Sequence, residues 1–375
     1  MYLTHLSLTD FRSFTRLDLN VPRRVVVLVG ANAQGKTSLL EAVYYLAAFS
    51  SFHTSTDRQL INFYADKGSL TVARVVADYQ KAASSHRLEV RLIQEAVGVN
   101  GSRYRREILV DGVKRTANEA IGEFNAVLFL PQMMRIIEES PEERRRFINM
   151  ALAQAVPGYA QNLNEYQQAL TQRNALLKLL SERGGDQSQL GYWDELVAER
   201  GARLIQARIA ALQDLERLAA RIHQRLTREQ EVLRLEYQPS YDPLPVKEGQ
   251  YALPMQVQVQ RSGFSLDQIK SGFVKRLQAV RAEELARGLT TIGPHRDELR
   301  FISNGVDLGD FGSRGQIRTA LMAVKLAEVA WLKEKTGEWP VLLLDEILAE
   351  LDVQRRAELL AALAECEQSL LTTTD

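Results

Sequence analysis

The stretch VVVLVGANAQGKTSLLEAVYYLAA, residues 25 to 48, decides the fold. Its unbroken apolar run reads as a buried strand, and the apolar spacing from Thr37 onward reads as a helix. Between them, Gly30 is followed by four residues and then Gly35, Lys36 and Thr37, which completes the pattern G-x-x-x-x-G-K-[ST]. A strand, a glycine-rich turn and a helix start in that order surround phosphates with backbone N–H groups at the positive end of a helix dipole. Gly30, Ala31, Asn32, Ala33, Gln34, Gly35, Lys36, Thr37 and Ser38 are therefore expected to line a nucleotide site for ATP. In this role the Lys36 ammonium neutralises the β and γ phosphates and the Thr37 hydroxyl ligates Mg²⁺. The bland alternative is a glycine-rich turn with no ligand, and the complete pattern with both flanks outweighs it.

A phosphate loop needs an acidic partner for the metal. PVLLLDEILAELD, residues 340 to 352, delivers Asp345 to the C-terminal end of an apolar strand, where α/β sheets bind ligands. Asp345 would hold Mg²⁺ through water, and the adjacent Glu346 is placed to polarise an attacking water. Two acids at a solvated strand end would look the same in isolation, so this reading leans on the phosphate loop. A third element is the tetrad Ser313, Arg314, Gly315, Gln316, which opens a helix whose apolar face runs Ile317, Leu321, Val324 and then Ala327 or Trp331. Serine before a helix is an ordinary N-cap. A helix N-terminus with free N–H groups and a serine is also a phosphate site.

Working outward, the opening 130 or so residues are mixed α/β, with a hairpin turn at Asp111-Gly112 and a buried strand at 126 to 131. From Ser140-Pro141 the pattern turns helical. Segments 159 to 182 and 192 to 229 space their apolar residues three or four apart around the breaker RGGDQSQLG, which predicts a helical hairpin. A further helix is expected over 265 to 287, strands resume over 290 to 308 with a turn at Asn304-Gly305, and the end is α/β again. The expected organisation is an α/β body at 1–140 and 289–375, interrupted by a helical insertion lobe at 141–288, with the two halves of the body meeting in space.

Bulk properties are permissive. The 375 residues suffice for two or three domains or one large domain with an insertion. With 47 basic and 47 acidic side chains, total charge advertises neither nucleic acid nor membrane, so a polyanion site must be a local patch. The single cysteine, Cys366, excludes an internal disulfide and a multi-cysteine zinc site. No signal-peptide pattern and no membrane-length apolar run is found, which points to the cytoplasm.

The motifs GANAQGKT, SRGQ and LLLDEILAELD, in that order around a helical insertion, resemble the ABC-type ATPases that include the SMC and Rad families. Within them LTDFRSF, FLPQMM, SPEERRRF, TQRNALLK, IGPHRDEL and LLTTTD resemble the RecF family of bacterial gap-repair proteins, over nearly the whole chain. The resemblance implies an ABC-type ATPase body, a mixed sheet with flanking helices and a β-rich subdomain. It further implies a weak, DNA-stimulated ATPase that closes as an ATP-dependent homodimer on duplex DNA near single-strand gaps, with RecO and RecR as partners, helping to load a recombinase. Glu346 and Lys36 are the implied catalytic pair. Ser313, Gly315 and Gln316 would contact the γ-phosphate held by another subunit, and Asp352 matches an aspartate at the same interface. Gln132 sits where ABC proteins carry a metal-sensing glutamine, or it caps a strand end. Arg12 sits where the SMC branch has an arginine near the nucleotide, or it is a solvated strand arginine.

Some positions depart from the family pattern. Ala33 stands where a second loop glycine is usual, and His53 where arginine is usual. The family runs a few strands further, so a chain ending at Asp375 is expected to leave a sheet edge incomplete. Basic clusters at Arg103 to Arg106 with Lys114 and Arg115, and at Arg144 to Arg146, are candidate phosphate contacts or solvated, ion-paired faces. His295, Arg296 and Asp297 form either a salt-bridge corner or a DNA contact. The competing functional readings are a transporter's nucleotide-binding subunit, which would be shorter between Gln132 and the tetrad, and a passive SMC-like ATP-binding module.

Overall fold

The apolar run 25–29, expected as a buried strand, forms the edge of a four-stranded parallel sheet, where Val25, Val27 and Val29 are exposed. The computed structural model describes residues 1–65, 70–97, 101–244, 261 and 263–374. In it β3 (Arg24–Val29), β13 (Gln368–Thr373), β12 (Val341–Asp345) and β8 (Ala126–Phe129) lie side by side in that order. Neighbouring strands are in register at Val26↔Leu370, Leu343↔Leu370 and Leu343↔Leu128. Parallel strands need long crossovers, and here the crossovers are most of the chain. Val341, Leu342, Leu343 and Leu344 are at most 1% exposed, worth about 1.5–3 kcal/mol apiece relative to exposure.

A six-stranded antiparallel sheet runs β2 (Phe14–Asn20), β1 (Tyr2–Phe11), β4 (Leu70–Lys81), β5 (Ser84–Val97), β6 (Gly101–Val110), β7 (Val113–Arg115). The β6–β7 turn is the expected Asp111-Gly112, both at positive φ. Helix α1 (Lys36–Ala48) buries Leu39, Leu40, Val43, Tyr45 and Leu46 in one core shared with both sheets. These elements, with 153–157 and 325–375, form one compact unit.

The second unit comprises 135–152 and 158–324. Its long hairpin pairs α5 (Tyr159–Arg183) with α6 (Leu190–Leu226), broken at Gly184-Gly185 as the glycines dictate. At 1.5 Å per residue α6 extends about 55 Å. The helix expected over 265–287 is two, α7 (Leu266–Ala279) and α8 (Arg281–Arg287), separated at Val280, whose φ of −93° and ψ of 4° leave the helical basin. The sequence reading returns to the body at 289, whereas contacts group residues up to 324 with the lobe. The reason is that β10 (Glu298–Ser303) pairs with β9 (Leu233–Gln238) in a three-stranded sheet completed by β11 (Val306–Asp307). Remaining helices are α2 (Ala117–Ala120), α3 (Arg135–Glu138), α4 (Pro141–Ala155), α9 (Leu308–Phe311), α10 (Arg314–Thr336) and α11 (Val353–Glu365). Asp375, where an incomplete sheet edge is expected, lies outside the described residues; β13 just before it is an interior strand.

IGPHRDEL resolves into a buried corner. Asp297 accepts from Arg208 at 2.8 Å, from the Ser240 amide at 3.0 Å and from the Tyr237 hydroxyl. Arg144 grips both oxygens of Glu298 at 2.7 and 2.9 Å, and Arg145 donates to the Asp297 carbonyl at 2.9 Å. Two of the three clustered arginines thus hold this corner, not Glu142 and Glu143. His295 lies between the Tyr166 hydroxyl, 2.7 Å from Nδ1, and the Thr290 carbonyl, 3.3 Å from Nε2. Burial pushes its pKa down to about 4. The unfolded chain therefore binds a proton below the ordinary pKa of 6.5 that the folded chain refuses until about pH 4. Stability should fall across that window by up to roughly 3 kcal/mol, and melting temperature against pH should show the fall in the native chain and lose it in His295→Gln.

Candidate nucleotide site

The parallel sheet collects the residues expected to bind a nucleotide at the C-terminal ends of its strands, where open α/β sheets bind ligands. The phosphate loop follows β3, Asp345 ends β12, Thr372 lies near the end of β13, and Gln132 stands in the turn Pro131–Met134 after β8. The Thr37 hydroxyl is 3.1 and 3.0 Å from the two oxygens of Asp345, to which it donates. Thr372 donates to the same carboxylate at 2.7 Å. Lys36 folds back over its own loop, Nζ donating to the carbonyls of Gly30 at 2.5 Å and Ala31 at 3.1 Å. Ala31, Asn32, Ala33 and Gln34 are exposed.

Gly35 is required twice. Its φ is +86°, and a Cβ there would meet the Phe14 ring at 2.9 Å and Ser13 Oγ at 3.1 Å. Ala33 also adopts positive φ, +65°, a region that costs a residue with a Cβ about 1–2 kcal/mol. A glycine here would have a conformational reason, and the methyl of Ala33 strains the loop.

A hydroxyl and a carboxylate converging at 3 Å suit a hard cation, and Mg²⁺ takes few protein ligands beside phosphate and water. That chemistry fits Thr37 and Asp345. No cluster of three or more His, Cys, Asp or Glu side chains able to hold a metal exists among the described residues. Gln132 is exposed, and its side chain caps nothing among the described residues. Glu346 takes φ +51°, its amide donates to Thr372 Oγ1 at 3.0 Å, and its carboxylate stands exposed. Thr372 therefore orients both acids. Sequence reading passed over it as part of an ending, although hydroxyls directly after an apolar strand were the available signal.

Arg12 is no solvated strand arginine. From φ +54° its guanidinium donates to both oxygens of the buried Glu41 on α1 at 2.6 and 2.7 Å, and to the Gln59 carbonyl at 3.1 Å. This pair ties the first strand to the helix that the phosphate loop starts.

The tetrad forms a reciprocal capping box. Ser313 Oγ accepts from the Gln316 amide at 3.3 Å, and Gln316 Oε1 accepts from the Ser313 amide at 3.1 Å. The amides of Arg314 and Gly315 keep no acceptor among the described residues, and Ser313, Arg314 and Gly315 are exposed. Gly312 is forced by packing, since a Cβ would meet the Leu308 carbonyl at 2.5 Å; at Gly315 it would meet only Ser313 Oγ at 4.0 Å. Asp352 N-caps α11, accepting from the Arg355 amide at 2.9 Å and from its guanidinium. The Arg355 amide, before the other contacts, holds its carboxyl below the usual range.

The family model described as the RecF/RecN/SMC N terminal domain matches residues 2–375. DNA replication and repair protein RecF of Chloroflexus aurantiacus is 37% identical over all of this chain and 94% of its own length, and RecF of Lacticaseibacillus casei is 37% identical over all of this chain and 93% of its own. The chain belongs to the RecF family. A solved structure of the recombination mediator RecF with ATP, 30% identical, superposes with a TM-score of 0.84 over all of this chain and 92% of that one. Its counterpart with ATPrS gives 0.83 at 29% identity, again over all of this chain and 92% of that one. The chain accordingly has the ABC-type ATPase body with a helical lobe that its motifs imply, and its RecF relatives bind ATP. Among the described residues no helix is long and apolar enough to cross a membrane.

Strain at Ala33 has a measurable consequence in this RecF-family loop. Ala33→Gly removes about 1–2 kcal/mol of left-handed strain and frees the unfolded chain by about 0.4–1 kcal/mol. Thermal denaturation should show the variant equally stable or up to roughly 1.6 kcal/mol more stable, whereas Gly35→Ala, which drives a methyl into Phe14, should be destabilised.

Proposed function

We propose that this chain is an ATP-dependent DNA-binding protein of recombinational gap repair and replication restart, closing as a homodimeric clamp on duplex DNA near single-strand gaps. ATP sits on residues 30–38 of one subunit, with Mg²⁺ held by Thr37 and Asp345 and sensed by Gln132. The metal supplies charge neutralisation at the phosphates when bound. Lys36 releases the loop carbonyls of Gly30 and Ala31 to reach the β and γ phosphates, and Glu346 orients the attacking water. Ser313, Gly315 and Gln316 of the second subunit approach the γ-phosphate, with Asp352 at the same interface.

The observation that carries this reading is Gly315. A glycine in the first turn of a helix is a poorer helix former than alanine, yet the fold around it leaves open space and so has no packing use for it. An uncovered pair of amides beside a serine hydroxyl, whose acceptor side is taken by Gln316, is instead a donor surface for an incoming phosphate. Phe311, 78% exposed two residues earlier, supplies an apolar contact for a partner surface.

DNA contact would be through phosphates and independent of sequence. Much of the first basic cluster is already committed: Arg105 pairs with Glu95 and Glu107, Lys114 with Glu107, and Arg106 donates to the Tyr45 hydroxyl and the Phe49 carbonyl. Arg103 and Arg115 stay exposed and are the better candidates. The solved RecF relative is a recombination mediator of the RecFOR pathway, which supports RecO and RecR as partners and the cytoplasm as the setting. A full-length RecF match supports this reading over a transporter subunit. The free, exposed Glu346 carboxylate supports a slow ATPase over a passive module.

Two variants test the scheme. Glu346→Gln should slow hydrolysis by about 10²-fold or more and accumulate an ATP-bound dimer in light scattering; monomers at saturating ATP would count against the clamp. Ser313→Arg should keep ATP binding by the monomer while preventing dimers, and loss of monomer binding would mean that the tetrad acts within its own chain.

A further inference from the structure

We propose that Glu231, a residue of no recognised motif, is the positioning residue for the tetrad, an inference that rests on the tetrad's proposed action across the dimer. Its Oε1 accepts from Gln316 Nε2 at 3.2 Å. Gln316 is the residue whose other amide atom, Oε1, caps the Ser313 amide. A carboxamide can be flipped end for end at little steric cost, and the flipped form would aim its NH₂ at the Ser313 N–H and break the capping box. The carboxylate of Glu231 accepts only, so it selects the orientation in which the oxygen faces Ser313.

Glu231 is itself fixed from several sides. Ser303 donates to its Oε2 at 3.0 Å, and His223 Nε2 lies 3.8 Å from the same oxygen. Its own amide donates to Thr227 Oγ1 at 3.4 Å. The flanking residues are clamped by the β10–β11 turn: the Val232 amide donates to Asn304 Oδ1 at 2.9 Å, the Asn304 amide to the Val232 carbonyl at 3.1 Å, and Asn304 Nδ2 to the Gln230 carbonyl at 3.2 Å. The acceptor is thus built where the end of α6 meets that turn, and it holds the first turn of α10 ready before any partner arrives. With Gln316 so held, its amide occupies the acceptor side of Ser313 Oγ, which leaves the hydroxyl proton for an incoming γ-phosphate oxygen.

The test compares the full-length native chain with Glu231→Ala and Glu231→Gln. Glutamine keeps one acceptor oxygen for Gln316 but, able to donate as well, no longer excludes the flipped form, so it should rescue in part. In the nucleotide-free monomer, hydrogen exchange at the amides of 313–317 should quicken roughly tenfold in Glu231→Ala, the scale of one charge-assisted hydrogen bond, and lie between native and Glu231→Ala in Glu231→Gln. With ATP, Glu231→Ala should dimerise roughly tenfold more weakly in sedimentation while its monomer binds ATP with native affinity. Native exchange at 313–317 in Glu231→Ala, or a Glu231→Gln variant no better than Glu231→Ala, overturns the proposal. If the native chain stays monomeric with ATP, the clamp reading falls, and the exchange measurement still decides whether Glu231 positions the tetrad.

Discussion

Thr37 and Asp345 stand 308 positions apart, and the rest of the body is arranged so that their oxygens meet within about 3 Å. The contact exists because β3, β13 and β12 run parallel in fixed register, so that residues from both chain ends leave the sheet at one edge. A slip of one residue in any of these pairings would send Asp345 to the other face of its strand. The apolar run 341–344, buried on both faces, sets the register, and Thr372 of the intervening strand secures it by bonding to Asp345 and to the Glu346 amide. The geometry of the expected metal site follows from hydrophobic pairing, with hydroxyls supplying the last ångström.

Several residues with an expected functional role also do local structural work. Ser313 and Gln316 cap α10, Asp352 caps α11, and Lys36 bonds to its own loop carbonyls. These uses are compatible with nucleotide chemistry because each leaves a complementary capacity open. A serine that accepts from Gln316 still has a proton to donate, and a lysine with three donors can exchange loop carbonyls for phosphate oxygens. Asp352 has less to spare, since Arg355 engages both its oxygens.

The phosphate loop, the acidic strand end, the helical hairpin and both hairpin turns were legible because each is written locally, in turn chemistry or apolar period. What escaped was long-range. The pairing of β10 with β9 draws the residues before the tetrad into the lobe, and nothing near 289 announces it. Arg12 reads as a surface strand residue, but its partner Glu41 is buried on α1, and Arg144 and Arg145 reach Glu298 and the Asp297 carbonyl, not the carboxylates of Glu142 and Glu143. Charge pairs 29 and 154 residues apart leave no spacing signal in a single sequence.

Three glycines near the expected chemistry separate what the fold needs from what it does not. Gly35 is demanded by its positive φ and by the Phe14 ring, and Gly312 by the Leu308 carbonyl, so any chain with this fold would need them whether or not it bound a nucleotide. Gly315 has neither reason: its φ is helical, its surroundings are open, and alanine would serve the helix better. In the proposed dimer that openness has a use: the space above Gly315, with the Arg314 and Gly315 amides beneath it and Ser313 beside it, would admit a phosphate carried by a second copy, favoured by hydrogen-bonding capacity and by the helix dipole.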